Sequence, residues 1–215
     1  MIPLRDTIPS TRVPVVNYVL IVANVVVFFY ELSQGPHIER FLRTYGLVPH
    51  DFAVRNLLTS MFLHGGWLHL LGNMLFLYIF GDNVEDRMGH ARYLAFYLLC
   101  GMAAGAAQAL TNPYSREPMV GASGAIAGVL GAYFLFYPRA RVVTLVPIFF
   151  FLQVMEIPAV FFLLFWFLMQ LVSGVATVGR AATGGVAFWA HVGGFIAGMV
   201  LGPVLRERSA PPRWA

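Results

Sequence analysis

Ser123, His191, His69, Asn73 and His64 are hydrogen-bonding side chains set inside apolar stretches, and together they outline acyl-transfer chemistry. Ser123 carries the only hydroxyl in the run G-A-S-G-A-I-A-G at 121–128, which opens an apolar segment reaching about residue 137. A serine in the first turn of a helix lies among backbone N–H groups that have no intrahelical partner. Its hydroxyl is a weak nucleophile until a neighbouring base takes its proton, and neutral imidazole is the usual base. His191, in A-H-V-G-G, is the candidate base. His69 and Asn73 are four apart, hence on one helical face. With the Ser123 N–H they can donate to a developing oxyanion. Plainer readings stand beside this one. G-x-x-x-G spacing packs membrane helices. A lone membrane histidine often serves as an interhelical hydrogen-bonder, and His64 can brace a loop. A metal held by His64, His69 and His191 is a further alternative, although the five-residue offset of His64 and His69 turns their rings apart on a straight helix.

The elements that must position these groups are membrane helices. Of 215 residues, 59% are hydrophobic and 11% charged, against roughly a quarter charged in soluble domains. Apolar runs near the length of a membrane span recur along the chain. The spacing predicts spans at about 14–32, 61–80, 91–110, 121–137, 157–178 and 186–205 in a single membrane domain over 1–215. Asn17 and Asn24 share a face of the first span and are expected to bond to another helix. The connection 33–60 holds Ile38, Phe41, Leu42 and Tyr45 at amphipathic spacing, predicting a surface helix. Residues 81–89 read as a glycine-bounded polar loop containing Glu85 and Arg87. Residues 142–156 read as interfacial or re-entrant. Trp166 and the other aromatics of the fifth span read as lipid-facing or core.

The net charge of +4 comes from arginines at the segment ends, which excludes a nucleic-acid patch. Nine of them fall on the side of the termini (Arg5, Arg12, Arg87, Arg92, Arg139, Arg141, Arg206, Arg208, Arg213) and five on the other (Arg40, Arg43, Arg55, Arg116, Arg180). That asymmetry predicts cytoplasmic termini. The second, fourth and sixth spans then begin on the extracytoplasmic side, so His64, His69, Ser123 and His191 gather near that face. Polar groups at that depth must face protein or a wet cavity. Gly194, Gly198 and Gly202 at four-residue spacing are expected to pack the sixth span against Gly124 and Gly128 of the fourth.

The ordered set H-x4-H-x3-N (His64, His69, Asn73), G-x-S-G (Gly121, Ser123, Gly124) and A-H-x-G-G (Ala190, His191, Gly193, Gly194) resembles the rhomboid intramembrane serine proteases along essentially the whole chain. The resemblance implies an all-α polytopic membrane protein, a six-transmembrane-helix rhomboid-like bundle. It implies Ser123 as nucleophile, His191 as general base, and His69 and Asn73 in the oxyanion hole. His64, Gly121, Gly124 and Gly194 are then structural neighbours of the site, and Glu85 with Arg87 a structural loop motif. It further implies no metal or cofactor, transmembrane substrates cut near the extracytoplasmic face, and residence in the lipid bilayer, with a bacterial inner membrane the expected location. Two positions depart from the family's pattern. Ala127 stands where many members stack an aromatic ring on the histidine. The first loop has Val54-Arg55 in place of a tryptophan-arginine pair. A helix-escorting binder without activity and a small channel are the alternatives from other functional classes.

Overall fold

Apolar and small residues, glycine among them, form the helices of this chain, while most prolines fall between them. The computed structural model describes residues 1–148, 151–177 and 187–207. It opens on a strand, β1 (Ile2–Asp6), and continues through α1 (Val15–Ser33), α2 (Ile38–Tyr45), α3 (Asn56–Thr59), α4 (Trp67–Met88), α5 (His90–Thr111) and α6 (Ser123–Phe136). A hairpin of β2 (Arg141–Ile148) and β3 (Phe151–Pro158) leads to α7 (Ala159–Thr177) and α8 (Phe188–Leu205). Arg180 with its glycine-containing loop, Arg208 and Arg213 lie outside the described residues.

α8 packs on α6 along its length because glycines remove the side chains that would separate them. A Cβ on Gly194 would strike the Gly124 carbonyl, one on Gly198 the Gly128 carbonyl, and one on Gly131 the Phe195 carbonyl. These contacts climb both helices together, so α6 and α8 run parallel, with their first turns side by side. α5 lines the same groove in the opposite direction: Gly124 meets Ala104, and Gly128 meets Cys100. The outward faces stay apolar, with Val19, Val22 and Val26 on α1, Phe161, Phe165 and Leu168 on α7, and Val200 and Val204 on α8 all exposed. A continuous surface of this kind suits lipid rather than water. α1, α5, Ala159–Ala176 of α7, and α8 are each long and apolar enough to cross a bilayer. α6 is apolar but has only 14 residues.

Three sequence expectations need correction. The chain is not all-α: β1, β2 and β3 form an antiparallel sheet in that order, with Arg141 opposite Pro158 and Ile148 opposite Phe151. The stretch 142–156, expected to be interfacial or re-entrant, is a β-hairpin. Its V-V-T-L-V and V-M-E-I runs suit a pleated surface, and residues 2–6 add the third strand. The second predicted span is displaced: 61–66 holds a 3-10 turn (Ser60–Phe62) and a glycine corner, and helix begins at Trp67. The 81–89 loop is instead the last turns of α4. Gly81 does not break that helix; it is where the Asn17 side chain and the Tyr93 hydroxyl press in, leaving no space for a Cβ.

The carboxylates at this end of α4 are hydrogen-bonded. Glu85 is buried and caps α1, accepting from the N–H groups of Val16 at 3.0 Å and Asn17 at 2.7 Å. Asp86 accepts from Thr11 and the Arg12 N–H. Arg87 does not pair with Glu85; its guanidinium lies 5.9 Å from the ring centres of Phe136 and Tyr137. As expected, Asn17 bonds across helices, donating to the Leu77 carbonyl at 3.0 Å and accepting from the Tyr93 hydroxyl at 2.9 Å. Asn24 donates to the Leu20 carbonyl within its own helix and has the Tyr97 side chain of α5 beside it.

Asp6 fastens β1 to the bundle. Its carboxylate accepts from the Tyr133 hydroxyl at 2.6 Å and the Asn83 amide at 2.9 Å. Burial raises its pKa to about 6; the Tyr133 bond opposes that rise and Asp82 adds to it. The folded state therefore holds the proton more tightly than the unfolded chain. The stabilisation is full below the unfolded value of 3.8 and is lost as pH climbs through about 6. Asp6→Asn keeps both hydrogen-bonding partners and removes the charge. Its melting temperature in detergent should match the native protein near pH 4 and exceed it increasingly toward pH 7. An equal difference at both pH values would refute this linkage.

Candidate active site

Ser123 is the first residue of α6, so its N–H has no carbonyl four residues back within the helix. The chain reaches it through Gly121 at φ +129°, a left-handed conformation that side chains other than glycine rarely adopt. Space demands glycine there as well. A Cβ on Gly121 would lie 2.7 Å from His69 Nε2 and 3.6 Å from Asn73 Nδ2. The donor pair on α4 is thus pressed against the backbone two residues before the serine. Asn73 is buried, and its Nδ2 has no hydrogen-bond partner among the described residues. A buried, unpaired donor is costly to keep, and this one is free to donate to an acceptor brought beside Ser123.

His191 is the fourth residue of α8 and is buried. Its Nε2 lies 2.8 Å from Ser123 Oγ. The parallel packing of α6 and α8 brings these two groups together from 68 residues apart. The first turn of α8 is held from α5, where Gln108 Oε1 accepts from the Ala190 N–H at 3.2 Å. On its other side, His191 Nδ1 lies 2.8 Å from Gln170 Oε1 on α7. The Trp166 ring sits one turn earlier on α7, its centre 5.7 Å from that of His191. Ala127 is fully buried against Gly194. The aromatic neighbour that position 127 lacks therefore comes from α7. The sequence reading left Trp166 without a role and missed Gln170. Gln170 had one available signal: it is the sole carboxamide in an otherwise apolar span, four residues after Trp166 and on the same face.

His64 lies before α4 rather than on it. The corner at Gly65 and Gly66 swings its ring to 5.2 Å from that of His69, edge to face, where a straight helix would have turned them apart. The His64 N–H donates to Glu31 of α1 at 3.0 Å, and its ring also meets Phe28. Glu31, a buried carboxylate within the first span, was not singled out from sequence.

The first loop is anchored without a tryptophan-arginine pair, since Val54 and Arg55 are both exposed. Leu47 and Met119 exchange backbone hydrogen bonds of 3.0 and 2.8 Å, and the Gly121 N–H donates to the Ser60 carbonyl at 2.9 Å. Asn56 donates to the Gly46 carbonyl at 2.7 Å. These bonds hold the segment that leads into Ser123. Gly124 and Gly194 meet in the helix contact directly behind the serine and histidine.

Similarity to known proteins follows the same pattern. The family model of the rhomboid domain matches residues 51–208. The chain is 33% identical over 136 residues to the mitochondrial Rhomboid protein 1 of Saccharomyces cerevisiae, covering 60% of this chain and 38% of that protein. It is 35% identical over 124 residues to the rhomboid protease GluP of Bacillus subtilis, covering 55% and 24%. It is 31% identical over 162 residues to RHOMBOID-like protein 1 of Arabidopsis thaliana, covering 75% and 37%. The chain thus spans between 24% and 38% of the length of these relatives.

Proposed function

The chain belongs to the rhomboid family, and from that premise we propose that it is an intramembrane serine endopeptidase that cuts transmembrane helices of other membrane proteins. The observation that carries this reading is the 2.8 Å approach of His191 Nε2 to Ser123 Oγ beside the unpaired Asn73 amide. His191 takes the serine proton as Oγ attacks the scissile carbonyl carbon. The resulting oxyanion is held by the Ser123 N–H, Asn73 Nδ2 and His69. His191 then gives its proton to the leaving amine, and the first product departs from an acyl-enzyme. Water, deprotonated by the same imidazole, attacks the ester; collapse returns the proton to Ser123 and releases the carboxylate product. No metal or cofactor takes part in these steps.

α4 and α6 join the four helices α1, α5, α7 and α8 as membrane spans, making six in one domain over 1–215. The site sits at the starts of α4, α6 and α8, opposite the end that carries the sheet and most of the arginines. Arginine placement supports cytoplasmic termini and a cytoplasmic sheet end, with cleavage near the extracytoplasmic face; a bacterial inner membrane is the location we propose. An intact helix shields its peptide bonds. Substrates with helix-breaking and small residues near the cut are therefore preferred.

The test uses the purified protein in liposomes with a single-span substrate carrying a glycine-containing segment near one face. Two fragments and phosphonylation of Ser123 by a fluorophosphonate probe are expected. Absence of both would reject the protease and favour a helix-binding role.

A further inference from the structure

We infer that Gln170 on α7 is a positioning residue for the general base, so that His191 is competent only while α7 is docked against α8. The inference rests on the protease reading for its consequence, but its geometry stands apart from that reading. A neutral imidazole carries one proton on two nitrogens, and the nitrogen facing the serine must be bare if it is to accept. Gln170 Oε1 has lone pairs only, so at 2.8 Å it accepts a proton held on Nδ1. That leaves the Nε2 lone pair directed at the Ser123 hydroxyl, 2.8 Å away. The opposite amide orientation would donate to Nδ1, place the proton on Nε2 and leave the ring unable to accept.

The position of Gln170 supports this assignment. α7 is apolar along most of its length and exposes Phe161, Leu164, Phe165, Leu168 and Met169 outward. Its inward face presents Trp166 and Gln170 one turn apart, both to the same imidazole. One side chain sets the ring's tautomer and the other limits its tilt, where position 127 offers only a methyl group. Phe195 of α8 backs the Trp166 ring at 6.3 Å and the Phe167 ring at 4.7 Å, keeping the α7 face in contact with the helix that carries the base. The backbone of α8 alone would leave His191 free to rotate about its side-chain bonds. A carboxamide from a second helix makes orientation of the base depend on the contact between the two.

The experiment compares the native protein with Gln170→Met, which keeps length and apolarity, and Gln170→Glu, which keeps an acceptor. Turnover and ring tautomer are both read in liposomes. Selective 15N-histidine labelling, with His191 assigned by its loss in His191→Gln, reports which ring nitrogen holds the proton at pH 8. The native protein should show a protonated Nδ1 and a bare Nε2. Gln170→Met should lose that preference and lower kcat by about 10- to 100-fold with KM little changed, the range seen when partners that orient an imidazole are removed. Gln170→Glu should restore the tautomer and most of kcat. A native ring protonated at Nε2, or a Gln170→Met protein with unaltered tautomer and kcat, overturns the inference. So does Gln170→Glu proving as damaging as Gln170→Met, since that is what a pure packing role produces. Failure of Ser123 to react with fluorophosphonate would count against the protease itself, while the tautomer measurement would still decide the role of Gln170.

Discussion

His191→Asn lowers kcat by at least about 10³-fold, and the double variant Ser123→Ala/His191→Asn is no slower than Ser123→Ala alone. Proton transfer by a positioned base contributes about 10²–10⁴-fold, and groups that act as one unit fail together rather than additively. The 2.8 Å Nε2–Oγ approach makes these two side chains such a unit. Asparagine fits the imidazole's space and leaves the Gly124–Gly194 contact intact, so folding should survive. The measurement is initial-rate cleavage in liposomes for native protein, both single variants and the double. Additive losses, or a His191→Asn enzyme of native rate, would mean that another group takes the serine proton.

Asn73→Leu should lower kcat by about 10²–10³-fold, the usual effect of losing one oxyanion donor, while leaving the protein as stable as before or more so. Asn73 Nδ2 is buried with no partner among the described residues, and such a group costs about 1–3 kcal/mol. Leucine has similar volume and removes that penalty. The donor acquires its acceptor only when the carbonyl oxygen becomes negative, so KM should change little. Thermal unfolding of Asn73→Leu in detergent, run beside its kinetics, separates the two effects. A lower melting temperature with unchanged kcat would make Asn73 a structural residue and remove it from the oxyanion hole.

Much of this was legible in the residues themselves, because membrane helices obey short-range rules. Apolar run length placed five of the long helices to within a few residues, four of them long and apolar enough to cross a bilayer, and the 38–45 helix followed from its amphipathic spacing. The glycine stripe on α8 foretold its contact with α6, since small residues matter only where backbones approach. Ser123, His191, His69 and Asn73 could be nominated because unsatisfied polar groups are expensive in an apolar setting.

Other features depended on groups far apart in sequence. Nothing local near Asp6 says that residues 2–6 will pair with 142–145 to complete a sheet, because strand partners are chosen by long-range contact. The last turns of α4 looked like a loop until Asp86 met Thr11 and Glu85 met the start of α1; those partners convert a run of charges into a stable helix end. Likewise Trp166 and Gln170 gain their roles only when α7 lies against α8. Sequence alone determined which side chains had chemistry to offer and which segments could live in a membrane. Tertiary packing decided which way the imidazole faces, because orientation is set by hydrogen-bond partners on other helices and no periodicity within a single segment encodes them.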